Sequence, residues 1–324
     1  MIAPVPSVCP SPSPGLRPGD SIAVVAPAGP ASPRELSAGL ALLATRYRVR
    51  PAENLFERGG YLAGSDERRL DALNRALSDP DVRGIFCARG GYGVQRILSG
   101  LDGAALRSDP KPIVGFSDIT ALLCWARVQG VVAVHGPVVT QLPRLPRADL
   151  DHLFRLLEEP GYAPCLTGSP GSHFRSMPRE GPPARGADAI EGSLVGGNLS
   201  LLGALSGSPW APLLEGAVLA VEDVAEAPYR LDRLLTTLRH QAGARSADGV
   251  AGVAIGELMG CAPGDAGGPS ALEVVVERMF QPGRAFVSAL PFGHGRRNAA
   301  FPIGVTARLD PVAGTLAWEG GVVR

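Results

Sequence analysis

The chain of 324 residues reads as an α/β protein: an N-terminal Rossmann-like parallel α/β domain, followed by a smaller, β-rich α/β C-terminal domain. Three observations predict this. Through the first 140 residues short apolar runs alternate with segments of helical spacing, the pattern of a parallel sheet covered on both faces. Between about 141 and 190 the periodicity thins, and GSPGSHFRSMPREGPPARGADAI (168–190) is rich in Pro, Gly, Ser and Arg, as a linker or long loop is. Beyond Ile190 apolar strands resume with fewer helices between them. Length agrees, since a chain of this size favours two domains over one. The expected organisation is a disordered Pro-rich leader over 1–16, an α/β domain over 17–140, a linker and long loop over 141–189, and a second domain over 190–324.

Taken in order, SIAVVAPAG (21–29) is a buried strand running into a Gly/Pro turn, and a helix follows from Pro33 to Arg46. RGIFCARGGYG (83–93) is a second strand ending in a glycine loop, with a helix expected from Val94. VVAVHGPVV (131–139) is a further strand. In the second half, a Gly-Gly-Asn turn (196–198) leads into a helix over 199–205. GAVLAVEDV (216–224) is a strand, and residues 228–240 place Leu231, Leu234, Leu235 and Leu238 on one helical face. GVAIGEL (252–258), RAFVSALPFGHG (284–295) and the 303–323 segment supply more strands.

Composition excludes several classes of function. Hydrophobic residues are 45% of the chain, enough for a sizeable core, and the 42 Gly and 31 Pro make it loop-rich without reaching a disordered composition. Net charge is zero, so no basic face for nucleic acid is expected. No apolar run approaches the roughly 18–20 residues of a membrane span, and the leader lacks the charged start of a secretory signal. Five scattered cysteines form no CxxC pair, which disfavours a disulfide framework or a zinc site. The expected setting is cytoplasmic.

The densest chemistry lies in KPIVGFSDITALLCWARVQG (111–130). Ile113, Val114 and Phe116 suit a buried strand, Gly115 permits a tight bend, and Ile119, Leu122, Leu123 and Ala126 recur at helical spacing. Ser117 therefore sits at a strand-to-helix turn, held by rigid elements yet reachable. That is the logic of a nucleophile elbow, with the helix N-terminus favouring developing negative charge. On this segment alone a helix cap by Ser117 or Asp118 is the favoured reading, since capping is the commoner use of such residues.

A serine nucleophile needs a base, and the base needs an orienting acceptor. His152 and His173 lie in poorly patterned sequence, His240 ends a helix, and His135 follows an apolar strand. His294 stands between Gly293 and Gly295 in the loop after a strand, where flanking glycines allow close approach. Glu222 and Asp223 end a strand, and Glu226 precedes a helix; Glu222 lies nearest the strand's buried part. Lys111, the only lysine, precedes Ser117 by roughly 20 Å of extended chain, which argues against a Ser/Lys dyad. The ARGGYG loop (88–93) has two readings. A dinucleotide fingerprint would need a third glycine where Arg96 stands; alternatively the loop offers N–H groups to an oxyanion.

Together, LRPGDSIAVVAPAGP, ARGGYGVQRIL, VGFSDITALL, VHGPVV, GGNLSLL, VEDVAEAPYRLDRLL and PFGHGRRNAAFPIG resemble, in order and spacing, the LD-carboxypeptidase family of serine peptidases over residues 17 to 312. That family includes murein tetrapeptide carboxypeptidases and microcin C self-immunity hydrolases. The resemblance implies Ser117 as nucleophile, His294 as general base and Glu222 as the acid orienting it, with backbone N–H groups of Gly91 and Asp118 as the oxyanion hole. It also implies no metal or cofactor, a peptide substrate, no nucleic-acid or membrane partner, and a homodimer. Ala300 and Phe301 depart from the residues more usual in relatives. The expected reaction is hydrolysis of the LD bond before the terminal D-alanine of a murein tetrapeptide, in cell-wall recycling. Two alternatives stand beside it: cleavage of peptidyl or aminoacyl nucleotides, for which Trp125, Trp210 and Phe174 are candidate base platforms, and a non-catalytic nucleotide-binding module. Arg89, beside the glycine loop, is a candidate for reading a substrate carboxylate.

Overall fold

A computed structural model describes residues 10–169, 188–241, 249–263, 267–279 and 284–324. The chain divides into two compact units. The first is Met1–Tyr162 with Asn298–Gly304 and Gly320–Arg324; the second is Ala163–Arg297 with Val305–Glu319.

The first unit is built on β1 (Ser21–Val25), β2 (Arg48–Pro51), β3 (Val82–Cys87), β4 (Ile113–Gly115), β5 (Ala133–His135) and β11 (Phe301–Ile303). They form one sheet in the order β11-β5-β4-β3-β1-β2, parallel throughout except that β11 runs antiparallel to β5. Apolar runs become strands here because both faces are covered: β1, β4 and β5 are buried along their whole length. The helices are α1 (Pro33–Ala44), α2 (Asp66–Ser78), α3 (Gly103–Ser108), α4 (Thr120–Val128) and α5 (Arg147–Glu158). α2 is started by the Ser65 hydroxyl, which accepts the Arg68 N–H. The chain reverses its strand order between β1 and β3, so the loops after these strands meet at the sheet's carboxyl edge, where open α/β sheets bind ligands. There the Gly29 N–H donates to the Gly90 carbonyl at 3.1 Å.

The second unit holds β6 (Cys165–Thr167), β7 (Ile190–Asn198), β8 (Val218–Val224), β9 (Gly252–Met259), β10 (Ala285–Val287), β12 (Thr306–Asp310) and β13 (Thr315–Trp318). Its sheet order is β10-β9-β8-β7-β12-β13-β6; β7 to β10 pair in parallel and the rest are antiparallel. Its helices are α6 (Leu199–Ala204), α7 (Pro228–Gln241) and α8 (Ala271–Met279). On α7, Leu231, Leu235 and Leu238 are fully buried. The fold is the two-part α/β arrangement with a parallel N-terminal sheet that the sequence predicts.

Several boundaries differ from the sequence reading. Within the stretch expected as a leader, Ser11 and Ser13 form bridges to Val131 and Val323, and the buried Leu16 donates its N–H to Leu157. The stretch 141–189, expected as linker and loop, contains α5 and β6, and residues up to Tyr162 belong to the first unit. The α5 periodicity is carried by only three fully buried leucines, Leu153, Leu156 and Leu157, among charged residues, which hides it in composition. Residues 298–304 return to the first unit because β11 completes that sheet's edge against β5. The helix expected from Val94 is instead two single 3-10 turns, Val94–Arg96 and Leu98–Gly100.

Candidate active site

In the first unit, β4 ends at Gly115 and the chain turns through Ser117 into a helical segment that continues as α4. Ser117 has φ of 61°, one of three non-glycine residues in the left-handed region among the described residues. A side chain there is strained, and such strain persists where the surroundings over-determine it. The capping alternative is not what the local geometry adopts. α4 is preceded by Ile119 with no side-chain cap, and the Asp118 carboxylate accepts the Val94 N–H at 2.9 Å. Asp118 is buried, and desolvation lifts its carboxyl above the ordinary range against that hydrogen bond. The Asp118 N–H lies in the first turn of a helical segment, where the helix itself supplies no acceptor.

The glycine loop packs directly behind this serine. A Cβ added at Gly90 would stand 2.8 Å from Ser117 Cβ, whereas one at Gly91, where φ is 116°, would meet Gly29 at 3.1 Å. The loop is clamped by Arg69, a fully buried residue that sequence reasoning passed over. Its guanidinium donates to the carbonyls of Pro27 and Gly93 and pairs with Asp66. The signal was an arginine on the apolar face of α2, which reads as solvated until its partners are known. Two exposed rings, Tyr61 and Tyr92, meet edge to face 5.7 Å apart beside the same loop. Arg89 donates to the Pro30 carbonyl at 2.7 Å. Lys111 is fully buried and bonded to Asp109 and to the Leu77 carbonyl.

In the second unit, β8 ends with two acids pointing to opposite faces, as successive strand residues must. Asp223 is consumed locally: it accepts from the Asn198 side chain at 3.0 Å and from the Ser200 N–H and hydroxyl at 2.9 and 2.8 Å. Glu222, fully buried, meets His294, whose Nδ1 lies 2.6 Å from Glu222 Oε2. Gly293 makes that approach possible: its φ is 127°, and a Cβ there would press to 3.2 Å of Glu222 Oε2. Desolvation pushes the Glu222 carboxyl up, and the hydrogen bond from His294 pulls it back only in part. Glu226 instead pairs with Arg230 on α7.

The other candidates fall elsewhere. His135 is buried and stacked on Phe301, centroids 4.5 Å apart, and His152 bonds the Ala300 carbonyl at 2.6 Å. His240 ends α7, exposed. Trp125 is buried in α4 and offers no platform, Trp210 is partly exposed, and His173 and Phe174 lie outside the described residues. Glu257 was not singled out from the sequence. It lies close enough to His294 for their charges to interact, and desolvation raises its carboxyl. Its only signal was an acid inside an apolar strand. Among the described residues no group of three or more His, Cys, Asp or Glu is placed to hold a metal ion, and no helix is long and apolar enough to cross a membrane.

Residues 22–136 match the LD-carboxypeptidase N-terminal domain, and residues 191–309 match the LD-carboxypeptidase C-terminal domain. The chain belongs to the LD-carboxypeptidase family. It is accordingly a serine-type carboxypeptidase, a hydrolase, as the motifs led one to expect. A relative from Synechocystis sp. is 40% identical over 310 residues, covering 94% of this LD-carboxypeptidase and 95% of that protein. A murein tetrapeptide carboxypeptidase of Pseudomonas aeruginosa is 34% identical over 264 residues, 77% of this chain and 80% of the relative. The solved structure of the self-immunity protein MccF with glutamyl sulfamoyl guanosine shares the fold, at a TM-score of 0.82 and 21% identity, over 97% of this chain and all of that one.

Proposed function

We propose that this LD-carboxypeptidase hydrolyses the LD-peptide bond before the terminal D-alanine of murein tetrapeptides, in cytoplasmic cell-wall recycling and as a homodimer, using Ser117, His294 and Glu222 as a triad. The observation that carries the reading is the 2.6 Å contact between His294 Nδ1 and the buried Glu222. An ionised carboxylate only accepts, so Nδ1–H donates to it and Nε2 becomes the basic nitrogen. His294 then takes the Ser117 proton as Oγ attacks the amide carbonyl. The oxyanion is met by backbone N–H groups of Gly91 and Asp118, a contribution of roughly 2.7–4 kcal/mol per donor in comparable sites. The imidazolium protonates the departing D-alanine nitrogen, and water, deprotonated by His294, releases the tripeptide from the acyl-enzyme.

The strained backbone at Ser117 supports its part, because a residue held in the left-handed region at a strand-to-helix turn presents its side chain outward. The murein substrate is supported by the name of the Pseudomonas aeruginosa relative. The test pairs a murein tetrapeptide with an aminoacyl sulfamoyl adenylate, following products by chromatography and mass spectrometry. Release of D-alanine with little cleavage of the adenylate is expected. Preferential cleavage of the adenylate would replace this substrate with the nucleotide class. Light scattering at micromolar concentration checks the dimer, and a monomer mass would remove it from the proposal.

A further inference from the structure

A second carboxylate, that of Glu257, lies against the glycines that flank His294. Pairing of β8 with β9 steps from Val221 to Asp223 on one strand but from Ile255 to Leu258 on the other, so β9 carries one extra residue. Bulges of this kind re-aim a side chain. Here the bulge holds Gly256 and Glu257. The Glu257 N–H donates to the Phe292 carbonyl at 2.9 Å, which fixes it against the loop that carries His294. Its carboxylate lies over Gly295: a Cβ added there would fall 1.4 Å from Glu257 Oε2, so only glycine leaves the space it occupies. Among the described residues this carboxylate makes no hydrogen bond and no ion pair, although it is half-buried. It also lines a cleft of about 390 Å³ whose other described walls, including Ile255, Met259, Leu272, Ser288 and Ala289, carry no charge.

We propose that Glu257 is a specificity-determining residue that reads an ammonium group on the substrate's acyl side. A partly desolvated carboxylate among uncharged neighbours, as the described walls of this cleft are, gains most from a cation and repels an anion. The carboxylate of the departing residue therefore lies away from Glu257, which leaves the acyl side for it. Orienting the base is a separate task, already performed by Glu222 at Nδ1. Resting on the function proposed above, the group read is the side-chain ammonium of the diamino acid that precedes the terminal D-alanine.

Two tetrapeptides test this, one with lysine and one with norleucine at that position, each with the wild-type enzyme and with Glu257→Gln. Wild type should favour the lysine peptide about tenfold, expressed in KM, and Glu257→Gln should bring the ratio to near one. Glu257→Asp, which keeps the charge, should retain part of the preference. An unchanged ratio in Glu257→Gln overturns the proposal. So does an equal loss of kcat on both peptides, because that places Glu257 in service of His294. Calorimetry of both peptides with Ser117→Ala, carrying Glu or Gln at 257, reads the same preference without turnover. Equal affinities, or no binding, contradict the role of Glu257. Tight, lysine-selective binding with no D-alanine release by wild type would contradict the proposed reaction instead.

Discussion

Gly90 and Ser117 stand so close that a methyl group on Gly90 would lie 2.8 Å from Ser117 Cβ and 3.0 Å from its Oγ. The glycine loop is therefore the back wall of the serine's place, as well as a candidate source of oxyanion donors. Neither side can yield easily, since Ser117 is already in the left-handed region and the loop is clamped by Arg69.

Gly90→Ala is expected to displace the serine by a fraction of an ångström to an ångström. Misplacement of that size costs on the order of 10²-fold in rate, while overpacking costs about 1–3 kcal/mol of stability. Turnover and urea unfolding of the same preparation measure the two effects. Wild-type turnover in Gly90→Ala would show that the serine has room the geometry denies it.

Glu222→Gln keeps the shape of the acid but replaces an acceptor-only group with an amide that can donate. His294 would then favour the other tautomer, with its proton on Nε2, where the serine proton must go. Loss of kcat by about 10⁴-fold is expected, by analogy with the same exchange in other serine triads. Asp223→Asn should behave differently: Asp223 organises Asn198 and Ser200, so its loss should appear first in thermal unfolding. Equal kinetic damage from both substitutions would remove the distinction between the two acids.

Lys111 offers a stability test far from any chemistry. Lys111→Met fills the same space but leaves the Leu77 carbonyl without its donor, a cost of about 1–3 kcal/mol at pH 7. Desolvation works to raise the Asp109 carboxyl, but its bonds to Lys111 and Arg83 outweigh it and hold the group below the ordinary range. A depressed carboxyl contributes stability above its unfolded value, about 3.9 for Asp, and loses it as pH falls toward the folded value. The deficit of Lys111→Met relative to wild type should thus narrow between pH 5 and pH 3, each taken as approximate limits around that value. Urea midpoints across that range check it, and a constant deficit would mean the ion pair carries none of the effect.

The parallel N-terminal sheet was legible because strands such as Ser21–Val25 and Ile113–Gly115 are buried along their whole length and read as short, largely apolar runs. The turn at Ser117 and the glycines around His294 were legible for a related reason: glycine marks places where backbone must bend or approach. What escaped was carried by long-range contact. β2 is an exposed edge strand of Arg-Val-Arg-Pro, with no apolar pattern to announce it. Phe301–Ile303 joins the first unit only because it pairs with β5, 166 residues earlier at the Phe301–His135 rung. Arg69 and Glu257 look like ordinary surface charges until the fold brings Pro27 and Gly93 to one and Gly295 to the other. The motifs, by contrast, name Ser117, Glu222 and His294 but not the side chains that hold or select around them.

The central claim is that Ser117 Oγ attacks the substrate, and D-alanine release from a murein tetrapeptide by wild type and by Ser117→Ala tests it most directly. Both proteins should show the same thermal unfolding. Wild type should release D-alanine with an acyl-enzyme detectable by intact-mass analysis after rapid quenching. Ser117→Ala should form no adduct and fall in kcat by several orders of magnitude, on the order of 10⁴-fold or more. Turnover by folded Ser117→Ala within about tenfold of wild type would contradict the account.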